Sequence, residues 1–183
     1  MSYLRTFLPW IVFGVVPARS WQWGAVAALA IAIGLIVQQR LAGRTADALI
    51  METGSAVFFA ALAVLAFANP DSGLRPYSAA ISSSVLFLIA AVSLLIRRPF
   101  TLGIAKQSTP REVWGLAGFV RANVVITSVW TAAFAATAVT LALIDHAGHS
   151  HSLAATLVQI AGLVVPILFT VRYVAHVQAA ATA

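Results

Sequence analysis

The sequence predicts an all-α bundle of five or six transmembrane helices. Of the 183 residues, 61% are hydrophobic and only 9% are charged, whereas a soluble domain carries about 25% charged residues. Apolar runs with almost no charge recur along the chain, each close to the roughly 20 residues that a helix needs to cross about 30 Å of hydrocarbon. These runs lack the alternating polarity of a membrane barrel, so helices are left to satisfy the backbone in lipid. We expect one transmembrane domain over residues 1–183.

The first apolar segment, residues 6–18, is shorter than the others. About 13 residues at a rise of 1.5 Å each reach only about 20 Å, and Pro9 and Pro17 both interrupt the run. The segment is consistent with a short or tilted span, or with a re-entrant or interfacial piece. The predicted number of crossings is therefore five or six.

Five longer apolar segments follow, and each is predicted to span the membrane. The segment 46–69 is expected to begin as a helix at a cap formed by Thr45, because Asp47 then suits the positive end of the helix dipole. Glu52 then lies near the membrane boundary. The five predicted spans cover residues 21–37, 46–69, 76–96, 110–144 and 152–171.

A short interfacial helix is predicted before the fifth span. Thr109, Pro110, Arg111 and Glu112 form a capping box with proline at the first helical position, so a helix should begin at Pro110. Trp114 fits the membrane interface. We interpret this piece as an elbow that sets the direction of the fifth span; the alternative is a docking surface for anionic lipid or a partner.

The orientation of the bundle follows from the lysines and arginines in its short loops. One side carries eight of them and the other side only Arg19 and Arg75, which places the first side and the C-terminus in the cytoplasm. The eight are Arg40, Arg44, Arg97, Arg98, Lys106, Arg111, Arg121 and Arg172.

Composition also disfavours several classes of function. The net charge is +6, but the basic residues sit at the ends of apolar runs and form no patch that follows a phosphate backbone, so we expect no nucleic-acid partner. The chain has no cysteine, which excludes a thiolate nucleophile and an iron–sulfur cluster. There is no Walker motif, no Gly-x-Ser-x-Gly and no carboxylate pair within a span. We expect neither enzymatic activity nor a cofactor.

Two polar faces lie on the fifth and sixth predicted helices. Asn123, Thr127 and Thr131 recur every four residues and so share one face of the fifth, while Gln159 and Pro166 share a face of the sixth.

Counting inward from the loop between these helices places Gln159 at about the depth of Thr137. The two faces are therefore expected to meet, either as hydrogen-bonded packing between helices or as the lining of a solute path.

Glu52 and Arg121 are the ionisable residues nearest to an intramembrane position. Each is expected about a turn or two inside the cytoplasmic boundary, which makes both of them functional candidates. The simpler interpretation is a mutual ion pair, or side chains that extend outward to the headgroups.

Three histidines lie between the fifth and sixth spans. His146, His149 and His151, beside Asp145, are weak candidates for a divalent-metal site, because their spacing matches no established template. Solvated loop histidines are the simpler interpretation.

Four tryptophans lie near the ends of predicted spans. Trp10, Trp21, Trp23 and Trp114 are interpreted as anchors, because an indole ring is amphipathic and settles at the depth of the headgroups.

Four short motifs follow one another along the chain. They are Phe7-Leu8-Pro9, which opens the first segment, Arg98-Pro99-Phe100, which closes the fourth, Thr109-Pro110 to Trp114, and Asn123 with Trp130 and Phe134 on the fifth helix. In this order they resemble the bacterial intracellular septation protein A family of inner-membrane proteins. The resemblance implies a small bacterial plasma-membrane protein that serves the cell envelope and septation through contacts with other membrane proteins, and it supplies no catalytic residues.

Two hypotheses about function follow from the sequence. The first is a non-enzymatic protein of the bacterial plasma membrane that acts through lipid contacts or through envelope and division proteins, a second copy of itself among the potential partners. The second is a transporter or channel for a small solute or ion, with a path between the fifth and sixth helices. A hydrated cavity that reaches Gln159 or Asn123 favours the second, and a dry core favours the first.

Overall fold

The fold is a bundle of helices, as the sequence predicts. The computed structural model describes residues 2–16, 20–44, 49–150 and 152–182. This described part is 83% helical and contains no strand. Its helices are α1 (Ser2–Thr6), α2 (Leu8–Val15), α3 (Trp21–Leu41), α4 (Ile50–Ala68), α5 (Ser78–Leu95), α6 (Phe100–Ala105), α7 (Ala117–His146) and α8 (Leu153–Thr182), with single 3₁₀ turns at Arg75–Tyr77 and Arg111–Val113.

Five helices are long and apolar enough to cross a membrane. They are α3, α4, α7, α8, and α5 together with the 3₁₀ turn before it. Only 22–39% of the residues in their most apolar stretches are buried inside the bundle, so the remaining apolar side chains face outward. Helices that are apolar on all sides belong in lipid rather than in water. The chain is a multi-pass membrane protein.

The bundle has two ends that differ in charge. We call the end where α3 finishes and α4 begins the basic end, and the end with the loops 69–75 and 147–152 the opposite end. The basic end carries Arg40, Arg44, Arg97, Arg98 and Lys106.

The first segment forms α1 and α2, which pack along the bundle antiparallel to α3. At one end, the guanidinium of Arg5 donates a hydrogen bond to the side-chain oxygen of Gln38, 2.6 Å away, in the last turn of α3. At the other, Phe13 packs against Gly24 in the first turn of α3. One face of the segment, with Trp10, is buried, while Val15 is 75% exposed. Pro17 and Ala18 lie outside the described residues.

The beginning of α4 was predicted from a cap. Thr45 and Asp47, which would form it, lie outside the described residues. The described helix begins at Ile50.

The predicted helix from Pro110 into the fifth span is wrong. The hydroxyl of Thr109 donates to the carbonyl oxygen of Ala105, 2.8 Å away, at the end of α6 and therefore does not cap a following helix. A single 3₁₀ turn follows at Arg111–Val113. Leu116 is then extended, and α7 begins only at Ala117.

The short helix in this connector is instead α6, which folds back into the bundle. Arg97 has a φ of 58°, a left-handed conformation that reverses the chain after α5. Phe100, Thr101 and Ile104 of α6 are then buried against α7. Six residues are too few for an apolar run to be recognised as a membrane element, so the sequence does not predict α6.

Small residues set the spacing of the long helices. A Cβ atom added to Gly162 of α8 would lie 3.2 Å from the Cβ of Thr137 on α7, which confirms that the stretch of α8 after Gln159 lies at the depth of Thr137. A Cβ added to Gly54 of α4 would lie 2.6 Å from the Cδ1 of Ile89 on α5. Close approach at small residues is the usual way in which membrane helices gain packing contacts.

We expect Gly162→Ala to destabilise the bundle by about 1–3 kcal/mol, the usual cost of overpacking. Rotation of the Thr137 side chain cannot relieve the clash, because its Cβ atom is itself too close. Reversible unfolding in mixed micelles measures the change. Gly34→Ala is the matched control, because nothing lies within 4 Å of a Cβ at that position of α3 and alanine is the better helix former. Equal stability of the two variants would contradict the close packing of α7 on α8.

Candidate functional site

Glu52 is the centre of a buried polar network at the basic end. Its side chain is 2% exposed. One carboxylate oxygen accepts hydrogen bonds from the Gln39 amide at 2.7 Å and from the Thr6 hydroxyl at 3.2 Å. The side-chain oxygen of Gln39 accepts in turn from the Gln107 amide at 3.3 Å. The network therefore joins α1, α3 and α4 to the segment after α6.

The predicted ion pair between Glu52 and Arg121 is not formed. The carboxylate faces α1 and α3, while the side chain of Arg121 is exposed on α7. Arg75 and Asp71 form an ion pair at 3.4 Å, at the opposite end. Glu52 is thus held by neutral hydrogen-bond donors, which a sequence does not identify as its partners.

We expect Glu52→Leu to lower the free energy of unfolding by about 1–3 kcal/mol, because it leaves the amide of Gln39 and the hydroxyl of Thr6 buried without an acceptor. Glu52→Gln should cost less, since an amide oxygen accepts the same two bonds. Arg121→Ala should change stability by no more than about 0.5 kcal/mol, as an exposed side chain usually does. Losses of equal size in Glu52→Leu and Arg121→Ala would contradict this prediction and support an ion pair between the two side chains. Unfolding in mixed micelles measures all three.

The face of α7 that carries Asn123 and Thr127 binds α6. The hydroxyl of Thr101 donates to the backbone oxygen of Asn123 at 3.0 Å and lies 2.8 Å from the hydroxyl of Thr127. The side-chain amide of Asn123 donates to the Phe119 carbonyl on its own helix, and Thr131 donates to the carbonyl of Thr127. These residues therefore pack and do not meet Gln159.

Pro166 and Thr170, which follows it by one turn, connect α8 to α7. The hydroxyl of Thr170 donates to the carbonyl of Pro166 at 2.7 Å and accepts from the indole nitrogen of Trp130 at 3.1 Å. Pro166 is buried inside α8. Pro166 therefore belongs to the contact between α8 and α7 and does not line a solute path.

Four aromatic rings fill the middle of the bundle, and we call them the aromatic layer: Phe7, Phe100, Trp130 and Phe134. All are at most 2% exposed. Phe7 stacks on Trp130 with ring centroids 4.7 Å apart and planes at 9°. Phe134 lies 5.4 Å from Trp130 and 5.9 Å from Phe7, and Phe100 packs edge-on to Trp130 at 6.2 Å. The layer separates the Asn123 face from the region of Gln159.

Gln159 lies on a cavity of about 320 Å³ on the far side of this layer. The cavity runs between α2, α5, α7 and α8, reaches the loops of the opposite end at Pro76 and Ser150, and has Trp10 and Phe134 among its walls. Thr137 lines it too. The predicted meeting of Gln159 with the Asn123 face is wrong, because about 20 Å of α7 separates Thr137 from Asn123 at 1.5 Å per residue.

The described histidines between α7 and α8 lie at the surface. His146 and His149 are exposed, and His151 lies outside the described residues. No cluster of three metal-ligating side chains occurs within the described ranges.

The tryptophans interpreted as anchors differ in exposure. Trp23 is 67% exposed, as an anchor should be. Trp10 and Trp21 are buried instead.

The two buried tryptophans are helix connectors. Trp10 donates to the hydroxyl of Ser55 on α4 at 2.8 Å, and Trp21 donates to the carbonyl of Pro70 at 3.2 Å. The interpretation of both as lipid-exposed anchors is wrong, because both indole rings are buried against other segments of the chain.

Comparison with known proteins identifies no relative of this chain. No family model, no curated protein and no solved structure matches this chain. The function must therefore be argued from the aromatic layer, the cavity and the basic end.

Proposed function

We propose that this chain is a non-enzymatic protein of the bacterial plasma membrane that acts through contacts with lipids or other membrane proteins and does not conduct a solute. The observation that carries the proposal is the aromatic layer. Four buried rings occupy the bundle between Gln159 and Asn123, and no described residue of the basic end lines the cavity. A transporter needs water or solute to reach both sides of its binding site.

The basic end supports lipid contact. The ammonium of Lys106 lies 5.3 Å from the ring centroid of Trp114, and the guanidinium of Arg111 lies 5.7 Å from it. One indole therefore holds two cations together by cation–π attraction. Clusters of basic residues next to a span bind anionic headgroups, at about 1 kcal/mol for each charge near the surface. With this end in the cytoplasm, the cluster would face the anionic inner leaflet.

The resemblance to the septation protein A family supports the choice of partners. Membrane proteins of the envelope and of division are the proposed contacts, and a second copy of the chain is a further one. The large outward-facing apolar side chains of α8, such as Leu157 at 56% exposed and Val171 at 64% exposed, offer a surface for either lipid or a neighbouring helix.

One observation favours the alternative of a solute transporter, namely that a cavity does reach Gln159. Conduction would then require the aromatic layer to open. A comparison of thiol reactivity on the two sides of the aromatic layer separates the two functions.

We expect single cysteines on the two sides of the aromatic layer to differ in reactivity. Because the chain has no cysteine, each variant has one thiol. Gln159→Cys should react with a small water-soluble methanethiosulfonate, and Thr127→Cys should react at least about tenfold more slowly, since its side chain is fully buried against α6. Ser108→Cys, exposed at the basic end, controls for access of the reagent to that end. Fast reaction at Thr127→Cys would overturn the proposal and support the transporter.

We expect anionic lipid to stabilise the protein through the basic end. Phosphatidylglycerol should raise the midpoint of thermal unfolding more than phosphatidylcholine does, because a ligand that binds the folded state stabilises it. The double variant Lys106→Gln, Arg111→Gln should lose most of this difference. Arg75→Gln, at the opposite end, is the control with a lost charge and should keep it. An unchanged lipid preference in the double variant would contradict lipid binding at this cluster.

A further inference from the structure

The cavity at the opposite end differs from the rest of the bundle in how its polar groups are satisfied. Elsewhere in the long helices, several hydroxyl groups donate to backbone carbonyls one turn earlier. Examples are Ser55 to Met51, Ser84 to Ala80, Thr131 to Thr127 and Thr170 to Pro166.

In the cavity wall, polar side chains have no such bond. The hydroxyl of Ser82 is buried without a partner among the described residues. Within the same part of the chain, the side chains of Ser83, Thr137 and Gln159 make no hydrogen bond either. The wall of the cavity therefore includes the amide of Gln159 and the hydroxyl of Ser83 with their hydrogen-bonding capacity unused, and the buried hydroxyl of Ser82 lacks a partner beside them. In a membrane interior unmet capacity is costly.

The chemistry of the wall restricts what can satisfy these groups. No described residue that lines the cavity is charged or a histidine, so an ion entering it would lose its hydration without gaining a counter-charge. Trp10, Phe13 and Phe134 supply aromatic walls, which contact flat apolar groups well. The occupant should therefore be uncharged, with an apolar ring and a hydrogen-bonding group.

The size of the cavity limits the occupant further. A volume of about 320 Å³ is at the lower end of the range for small-molecule sites. It corresponds to about ten water molecules at roughly 30 Å³ each, and hence to a molecule of about ten non-hydrogen atoms.

We infer that this cavity is a binding site for a small uncharged molecule that carries one ring and one amide or hydroxyl group. The ring lies against Trp10, Phe13 and Phe134, and the polar group bonds to Gln159 and the nearby hydroxyls. This site does not depend on the proposed function, because binding in the cavity requires neither lipid contacts nor partners.

Gly14 offers a way to fill the site without disturbing its walls. A Cβ added to Gly14 of α2 would have one near neighbour, the side-chain oxygen of Gln159, at the ordinary contact distance of 3.9 Å. Gly14→Leu should therefore place an apolar side chain in the cavity with no backbone clash. Gly34→Leu on α3 is the matched control, because that position has nothing within 4 Å.

The test uses Ser83→Cys, in the cavity wall, as a single reporter thiol, with benzamide as the probe and benzoate as its charged analogue. Benzamide should slow the modification of this thiol by a small methanethiosulfonate saturably, by about tenfold at ten times its Kd, since protection follows occupancy. Benzoate should not protect. Adding Gly14→Leu should abolish the benzamide effect, and adding Gly34→Leu should leave it unchanged.

A second thiol controls for benzamide that only enters the detergent or lipid. Ser128→Cys, exposed on α7 outside the cavity, should show no protection. Equal protection at Ser128→Cys, equal protection by benzoate, or no saturable effect up to the solubility of benzamide would each overturn the inference and leave a cavity that holds water alone. The thiol comparison across the aromatic layer is unaffected by any of these results.

Discussion

The indole of Trp130 lies where four parts of the chain meet. Phe7, between α1 and α2, stacks on its face, Phe100 of α6 packs on it edge-on, and Thr170 of α8 accepts its N–H. Stacked and edge-on arrangements are the favoured geometries for aromatic pairs, and each adds about 0.5–1.5 kcal/mol beyond its area. One residue of α7 thus positions the short helices that the membrane by itself would not hold.

This contact also explains why α1, α2 and α6 lie inside the bundle. None of them is long enough to cross the bilayer as a single helix. Each is tied to a long helix by a side-chain hydrogen bond. Thr6 reaches Glu52, Trp10 reaches Ser55, and Thr101 reaches Asn123. The short helices are therefore held by aromatic packing and by polar contacts at the same time.

The two halves of the bundle differ in how some of their polar side chains are bonded. At the basic end, the side chains of Glu52, Gln39 and Gln107 are bonded to one another. On the other side of the aromatic layer, Gln159 lies on the cavity, and the buried hydroxyl of Ser82 has no partner among the described residues. The four rings lie between the bonded network and the cavity that we infer to be a ligand site.

The sequence alone determined that this protein lies in a membrane and that it is all-helical. It also determined approximately where the five membrane-length helices begin and end, because these properties follow from the length and charge of apolar runs. It also determined the depth of Gln159 relative to Thr137, because helix rise is constant. Tertiary structure alone decided that Glu52 binds Thr6 and Gln39 instead of Arg121, that α6 turns inward, and that Trp10 is core instead of anchor. These outcomes depend on how each helix is rotated and which neighbour it meets. Helices that are apolar on nearly every side carry no periodic pattern to show which face turns inward.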